Sequence, residues 1–351
     1  MPYFNAPCAS WFRILLLVCL LAGCGREPLY QSQSYVFGTL VDISIYGEPE
    51  QRARLLASHV EQDFQRLHSQ LHAWKPGGEL YRLNSAFAEG RRLPLSPELA
   101  AILLDATQLS ERSGGIFNPA IGGLINLWGF QRDEFTPLMP DPQQIQALIR
   151  AAPHMSDIVI ENGLAWSRNR SVRVDLGGYA KGYALDRAAA YLRQEKVHGA
   201  LINIGGNILA LGMHGERPWR VGIQHPRQPG PMALLDLPDG WAIGTSGDYQ
   251  RYFELDGKRY CHLIDPRSGY PAQGVQEVTI LVPPGEHAGT LSDAASKPLF
   301  ITGPAGWRRA AGTMGIDYAM LVDAGGGLHM TRAMRQHLQL VVKNVPLEIL
   351  P

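Results

Sequence analysis

The sequence contains few cysteines, and their positions exclude a disulfide framework. Three of the four, Cys8, Cys19 and Cys24, lie at the N-terminal end of the 351-residue chain. If that segment is a targeting signal, Cys261 is the single thiol left in the body of the protein, so no intramolecular disulfide can form. Cys261 stands in a predicted strand, which favours a half-buried, unreactive side chain over a reactive thiol.

An excess of either charge is also absent. The chain carries 32 basic and 32 acidic side chains. A protein that binds nucleic acid usually presents clustered positive charge to the phosphates. The composition therefore gives no support for a nucleic-acid partner, and we expect none.

The chain lacks an apolar run of the length that a membrane helix needs. Residues 11–22 are apolar apart from Arg13, which is short for a span but typical of the hydrophobic segment of a signal peptide. The sequence Leu-Ala-Gly-Cys that follows resembles a bacterial lipobox. We predict a lipoprotein signal peptide over residues 1–23, a lipid anchor on Cys24 and a polar tether over residues 24–34. An uncleaved membrane helix is the alternative.

Apolar periodicity predicts the first elements of the folded part. Alternating apolar residues over 35–46 predict a strand with one buried face, and apolar residues every three or four positions over 52–74 predict a helix. Ser96-Pro97 and Gly114-Gly115 mark the start and end of a second helix, because proline is favoured at the first helical position and glycine beyond the last.

Later segments alternate between short strands and glycine turns. Residues 172–176 predict a strand that leads through a glycine turn into a helix over 180–193, and residues 249–255 and 259–264 predict a hairpin closed by an Asp-Gly turn. No repeat or long linker interrupts the chain. We therefore predict one α+β unit over residues 35–345, built of mixed and antiparallel sheets with flanking helices and describable as two lobes.

The first segment that could carry chemistry is the glycine turn within residues 174–186. A strand, two glycines and a helix N-terminus bring backbone N–H groups and the positive end of a helix dipole together, which suits a phosphate or pyrophosphate. The segment has neither the Walker A pattern nor the G-x-G-x-x-G spacing. An ordinary turn without a ligand is the alternative.

The second segment concentrates polar side chains in two loops joined by the predicted hairpin, over residues 242–249 and 260–271. Hydroxyls, carboxylates, a histidine and an arginine cost desolvation here unless a ligand or a polar network satisfies them. Asp248 and His262 are candidate catalytic bases by residue type. Ser246 invites a serine-nucleophile interpretation, but no G-x-S-x-G elbow surrounds it. A solvated turn is the alternative.

The third segment places Asp293 and Lys297 one helical turn apart, in the orientation that favours an ion pair. On an exposed face this would be an ordinary surface salt bridge. The apolar residues 299–301 that follow indicate burial instead.

These three segments, in this order, resemble the FAD:protein FMN transferases of the ApbE family. The family pattern includes a D-L-G-G-x-A-K-G-Y-A-x-D run, a T-S-G-D-Y and H-x-I-D-P-R-x-G-Y-P pair, and a late D-A-x-x-T helix. The chain has D-L-G-G-Y-A-K-G-Y-A-L-D at 175–186, the T-S-G-D-Y run at 245–249, H-L-I-D-P-R-S-G-Y-P at 262–271 and D-A-A-S-K at 293–297. The resemblance spans roughly residues 35–300.

The resemblance implies an enzyme that binds FAD and Mg²⁺, cleaves the pyrophosphate and transfers FMN to a threonine or serine hydroxyl of a target protein, with release of AMP. It also implies acceptors among membrane electron-transfer subunits and a lipid-anchored enzyme on the periplasmic side of the inner membrane. A non-catalytic FAD-binding lipoprotein and an FAD pyrophosphatase are the alternatives.

The same resemblance implies the site residues. For the metal it implies Gly178, Asp293 and the position of Lys297. For the flavin it implies a set of aromatic, polar and charged side chains drawn from the whole chain: Phe37, Trp74, Ile116, Phe117, Asn118, Asp175, Lys181 and His262.

Several positions depart from the family pattern, among them Trp74 for a tyrosine and Ala120 for a threonine. Lys297 stands where the family has threonine, and a protonated lysine cannot ligate Mg²⁺. Either Lys297 replaces a metal contact with a fixed positive charge, or a nearby oxygen such as that of Ser292 or Ser296 takes over the coordination. Asn118 stands where the family commonly has aspartate.

Overall fold

The computed structural model describes residues 28–132 and 134–350, so the predicted signal peptide and Cys24 lie outside the described residues. Within that part of the chain no helix has an apolar stretch long enough to cross a membrane. The strands in chain order are β1 (Leu29–Val36), β2 (Thr39–Tyr46), β3 (Leu93–Pro94), β4 (Ile158–Glu161), β5 (Leu164–Ser167), β6 (Gly199–Ile204), β7 (Asn207–Gly212), β8 (Trp219–Gln224), β9 (Pro231–Leu237), β10 (Ala242–Gly247), β11 (Tyr252–Leu255), β12 (Lys258–Cys261), β13 (Val275–Val282), β14 (Tyr318–Asp323), β15 (Leu328–Thr331), β16 (Gln339–Leu340) and β17 (Leu347–Leu350).

A nine-stranded sheet forms the centre, in the order β1-β2-β6-β7-β10-β13-β14-β15-β17. Its neighbouring strands are antiparallel except for β15 and β17, which run parallel. Smaller sheets join β16 with β9 and β8, β3 with β5 and β4, and β11 with β12. The predicted α+β class is confirmed.

Helices cover the sheet. They are α1 (Glu50–Gln70), α2 (Glu79–Glu89), α3 (Pro97–Arg112), α4 (Gly122–Leu127), α5 (Pro142–Ala151), α6 (Ala180–Gln194), α7 (Ala288–Met314) and α8 (Arg332–His337). α7 packs on β10 and β13 and against α6, while α6 also contacts α1. α1 turns one apolar face inward, with buried residues every three or four positions.

The hydrophobic core lies on both faces of the central sheet. All eight residues of β13 are buried, and alternate residues along it point to different clusters. Val278 and Ile280 pack with the large helices, whereas Leu281 packs with β8 and β9. β13 is therefore buried on both faces, although the polar residues Gln276, Glu277 and Thr279 lie among its apolar ones.

A smaller cluster supports the hairpin of β11 and β12. The Trp128 ring stacks on Tyr260 at 5.6 Å and on Phe253 at 6.4 Å, and the indole Nε1 donates to the Gly269 carbonyl at 2.8 Å. These contacts fix the base of the hairpin against α4 and α5.

The N-terminal strand prediction was wrong in its boundaries. Residues 35–46 form two strands rather than one, because the chain reverses at Phe37 and Gly38, where φ is 56° and 71°. β1 begins at Leu29, so most of the residues predicted as a tether belong to the sheet. β17 likewise extends beyond the predicted end at residue 345.

The strand predicted over residues 172–176 is also absent. The segment is extended but joins a neighbour through one isolated bridge, between Arg173 and Ile121. On one side its backbone bonds to residues 119–122, through the N–H groups of Arg173 and Asp175 and the carbonyl of Arg173. On the other side a buried side chain satisfies it, since Asn84 accepts from the Val174 N–H at 2.7 Å and donates to its carbonyl at 2.8 Å.

Other local predictions hold with shifted ends. α3 begins at Pro97, as the Ser96-Pro97 pair predicted, and the Ser96 hydroxyl caps it by accepting from the Leu99 N–H at 3.2 Å. The predicted helix over 52–74 ends at Gln70. The hairpin is confirmed, and Asp256 and Gly257 have φ of 51° and 72°, which is the type I′ geometry that an Asp-Gly turn favours.

Candidate functional site

A cavity of about 580 Å³ opens between the β1–β2 turn, the glycine turn before α6, the end of β10 and the first half of α7. This volume lies within the range of pockets that hold small-molecule ligands. The predicted site residues that line it are Phe37, Trp74, Ile116, Phe117, Asn118, Asp175, Gly178, Lys181, His262 and Lys297. Asp248 and Asp293 are not on its wall.

Phe37 enters the cavity from the tip of the β1–β2 hairpin. It has a φ of 56°, a backbone conformation that a bulky residue rarely adopts. The ring packs on Phe64 at 6.1 Å and meets His68 edge-on at 5.7 Å. Strain of this kind persists where the surroundings hold it, often at a ligand site.

Trp74 and Asp175 form one unit on the wall. The indole Nε1 donates to Asp175 Oδ2 at 2.7 Å, and the other carboxylate oxygen of Asp175 accepts from the Gly177 N–H at 2.8 Å. The guanidinium of Arg173 lies 4.0 Å from the centre of the Trp74 ring. One face of the indole is therefore covered, and a ligand could stack only on the other.

The loop after α3 contributes Ile116, Phe117 and Asn118. The Asn118 side chain donates to the Pro153 carbonyl at 2.9 Å and accepts from the Ala120 N–H at 3.0 Å. Its amide thus ties the loop to the segment that follows α5. The ring of Phe117 is left to line the cavity beside Gly178.

The glycine turn differs from the anion site that the sequence predicts. The helix N-terminus faces the cavity, but several of its amides already donate to protein oxygens. Gly182 N–H donates to Asp293 Oδ2 at 3.0 Å and Gly177 N–H donates to Asp175. Tyr179 and Ala180 both donate to the Leu176 carbonyl. The turn therefore has fewer free backbone N–H groups for an anion than the sequence predicts.

Charged side chains, rather than free backbone amides, are the main groups that this region offers to an anion. Lys297 donates from Nζ to the Asp293 carbonyl at 2.7 Å and to Asp293 Oδ1, and Asp293 is fully buried. The positive charges of Lys297 and Lys181 hold the pKa of the Asp293 carboxyl below its usual range, although burial opposes them. Burial lowers the pKa of Lys181 to about 8, with the neighbouring charges of Lys297 and Arg251 acting in the same direction.

His262 follows β12 and reaches the cavity from the base of the hairpin. Burial and the positive charges of Arg251, Lys181 and Lys297 hold the pKa of His262 well below its usual range. Its Nδ1 lies 3.3 Å from the Arg251 carbonyl, which can only accept, so Nδ1 carries the proton. The imidazole is therefore neutral near pH 7, and its Nε2 can accept a proton.

Asp248 and Ser246 are each engaged by a neighbouring side chain. Asp248 lies off the cavity wall and forms a two-point pair with Arg227, at 2.7 and 2.6 Å, so its role as a base stays a prediction. The Ser246 hydroxyl bonds to that of Ser296 at 2.7 Å, while His262 bonds to a backbone carbonyl. This arrangement gives no serine and histidine pair of the kind that activates a nucleophile.

The sequence analysis missed several lining residues. Arg251 lies two positions beyond the T-S-G-D-Y run. A positively charged side chain so close to the motif was the signal that could have identified it. The Nε of Arg251 and the Oε1 of Gln131 are buried without a hydrogen-bond partner on the cavity wall, which is typical of groups that a ligand satisfies. Gln131 had no signal in the sequence. Thr245 lines the cavity and bonds to Thr279 at 3.2 Å.

Comparison with known proteins follows the same segments. The profile of the ApbE family matches residues 37–320. An FAD:protein FMN transferase of Rhodobacter capsulatus is 39% identical over 315 residues, which is 90% of this chain and 59% of that protein. This chain thus spans about three fifths of that relative. An FAD:protein FMN transferase of Klebsiella pneumoniae (strain 342) is 31% identical, over 91% of this chain and 94% of that protein.

Solved structures agree in fold. The crystal structure of the ApbE protein from Thermotoga maritima superposes with a TM-score of 0.80 at 28% identity, and covers 88% of this chain and 99% of its own. The apo form of the flavinyl transferase ApbE from Pseudomonas stutzeri gives 0.77 at 27% identity, with 89% and 98% covered. The similarity includes every segment that lines the cavity from residue 37 to Lys297.

Proposed function

The chain belongs to the ApbE family, and from this premise we propose that it is an FAD:protein FMN transferase. The substrate is FAD, the acceptor is a threonine or serine hydroxyl of another protein, and the products are the FMN phosphoester and AMP. One observation carries the proposal. A single cavity combines aromatic rings that suit a flavin, two lysines that suit a pyrophosphate and a neutral histidine that suits proton transfer.

The reaction needs positioning and charge neutralisation more than covalent help from the protein. The hydroxyl oxygen of the acceptor forms a bond to the FMN phosphorus. The bridging P–O bond to AMP breaks, and its electron pair leaves on AMP. The hydroxyl proton passes to Nε2 of His262 and then to solvent. Lys181 and Lys297 face the same cavity and offset the charge that develops on the phosphates.

The expected Mg²⁺ was tested against the residues of its predicted site. Gly178, Asp293 and Lys297 do lie together, since a Cβ added to Gly178 would be 3.2 Å from Lys297 Cε. However, an ammonium group bonds to the one carboxylate, and no group of three or more His, Cys, Asp or Glu in residues 28–132 and 134–350 could hold a metal. This donor set does not suit Mg²⁺.

We also propose where the protein is located and which proteins accept the FMN. The lipobox that ends at Cys24 supports a lipid-anchored protein on the periplasmic side of the inner membrane. There it would meet membrane electron-transfer subunits that carry covalent FMN, which we propose as acceptors.

The test is a transfer assay with the chain lacking residues 1–24, FAD and an acceptor peptide that bears a flavinylation threonine. We expect the peptide to gain the mass of FMN as AMP appears. His262→Ala should lower the rate by about 10² to 10⁴-fold without loss of FAD binding, because it removes the proton acceptor. His198→Ala, at an exposed position, is the matched control.

Other products would contradict the proposal in distinct ways. Free FMN and AMP with an unchanged peptide would indicate a pyrophosphatase. Tightly bound FAD without any product would indicate a flavin-binding protein without transferase activity.

A further inference from the structure

The Lys297 ammonium group bonds to Asp293, the one carboxylate of the metal site that the family resemblance implies. Its Nζ contacts both the carboxylate and the carbonyl of Asp293, and its side chain is enclosed although it reaches the cavity wall, with 8% of Lys297 exposed. A cation between Asp293 and the cavity would have to displace this group. A buried ammonium without its carboxylate is strongly unfavourable.

Both carboxylate oxygens of Asp293 already accept hydrogen bonds from the protein. One oxygen accepts from Lys297 and the other accepts from the Gly182 N–H at 3.0 Å. Mg²⁺ requires about six oxygen ligands in octahedral geometry at about 2.0–2.1 Å. A Mg²⁺ ion at Asp293 would compete with the Lys297 ammonium group for the same carboxylate, and the two cations would repel each other.

Gly178 is part of the lysine site rather than an open position. A Cβ there would be 3.2 Å from Lys297 Cε and 3.7 Å from its Cδ, so the lysine stem runs directly over the glycine backbone. The lysine can approach this closely because glycine has no side chain. The turn, the carboxylate and the lysine thus fit one another closely.

The charge at this wall is positive without a metal. Asp293 faces two ammonium groups, those of Lys181 and Lys297, and the Arg251 charge acts on Lys181 as well. Asp293 and Asp175, whose carboxylate lies on the cavity wall, offset only part of this charge. A pyrophosphate diester carries two negative charges, which the remaining positive charge suits.

We propose that Lys297 takes the place of the divalent cation in this chain, so that FMN transfer proceeds without Mg²⁺. This inference rests on the proposed function. As the bond from the FMN phosphorus to AMP breaks, the developing negative charge is offset by the ammonium groups of Lys297 and Lys181, and the proton of the acceptor hydroxyl goes to His262. A fixed cation of this kind requires no reorganisation during the reaction.

The experiment has two readouts, FMN transfer with either Mg²⁺ or a chelator, and binding of Mn²⁺ to the FAD complex by electron paramagnetic resonance. We expect the wild-type chain to transfer equally in both conditions and to hold no Mn²⁺. Lys297→Thr supplies an oxygen ligand and frees a carboxylate oxygen, so it should bind Mn²⁺ and become sensitive to the chelator.

Two further variants complete the set. Lys297→Met keeps the length of the stem but removes the charge, and should lower transfer by roughly 10²-fold in both conditions without any gain of Mn²⁺. Lys343→Thr changes an exposed lysine and should behave like the wild type.

The wild-type chain alone can overturn the inference, so it does not depend on the variants folding. Loss of transfer in the chelator, or stoichiometric binding of Mn²⁺ by the FAD complex, would show that a metal is needed despite Lys297. If the wild type binds FAD but transfers nothing in either condition, the proposed function fails. The Mn²⁺ measurement then still decides whether Lys297 excludes the metal.

Discussion

At the scale of single residues, the site depends on buried charges that are matched in different ways. Asp293 is matched by a lysine, whereas Glu277, on the strand next to the cavity, is matched only by hydroxyl groups. Tyr249 donates to one of its oxygens at 2.9 Å and Thr279 to the other at 3.1 Å. Burial, with the nearby charge of Asp248, outweighs these bonds and raises the pKa of Glu277 to about 7.

Glu277 should therefore make stability depend on pH. Its pKa rises from 4.5 in the unfolded chain to about 7 in the fold, so the native state holds a proton that the unfolded state has lost. This contribution is fully present below pH 4.5 and disappears as the pH rises through 7, a change on the order of 3 kcal/mol. Glu277→Gln should flatten the dependence between pH 5 and 8, as measured by urea unfolding.

Glu161→Gln is the control for this comparison. Glu161 is exposed on β4, so its replacement should leave the pH dependence unchanged. An equal slope in the wild type and Glu277→Gln would show that another group is responsible.

At the scale of elements, α7 links the site to the rest of the core. Its first half carries Asp293 and Lys297, and the helix bends at Gly303, where φ is 67°. Pro304 follows the bend, and the second half ends at Gly315 with a φ of 64°. Gly303 and Gly315 adopt a positive φ that favours glycine, whereas Gly312 lies within regular helix and is exposed.

This difference predicts opposite effects of the same substitution. Gly312→Ala meets no atom within 4 Å and should raise the free energy of unfolding by about 0.5–1 kcal/mol, because alanine loses less conformational entropy in a helix. Gly315→Ala forces alanine into the left-handed region and should lower stability by about 1–2 kcal/mol. Thermal unfolding of both variants would check this. A gain in both would contradict the helix end at Gly315.

At the scale of the whole molecule, the site lies where distant segments converge on one sheet. The turn after β1, the loop after α3, the turn before α6, the residues that flank the β11–β12 hairpin and α7 all reach the same cavity. The sequence predicted most of these segments through family resemblance, because each carries a recognisable motif. The sequence could not predict Gln131, because no motif includes this residue and only the fold brings it to the cavity.

The proposed lipid anchor also concerns the whole molecule. Expressed as the full chain in a bacterium, the wild type should incorporate labelled palmitate and sediment with membranes, whereas Cys24→Ser should do neither, because several acyl chains on one residue are enough for stable attachment. Cys261→Ser, at a buried thiol, is the control. Membrane retention of the wild type without label would favour the uncleaved helix.

The sequence by itself determined the α+β class, α3 with its Ser96 cap, the Asp-Gly hairpin and the list of segments that form the site. These features depend on local backbone preference, on periodicity and on motifs, all of which are written in neighbouring residues. Only the tertiary structure decided that residues 172–176 bond to Asn84 and to residues 119–122 without forming a regular strand, and that Lys297 is enclosed against the buried Asp293. Burial and hydrogen-bond partners across long sequence separations set these outcomes, and no local pattern encodes them.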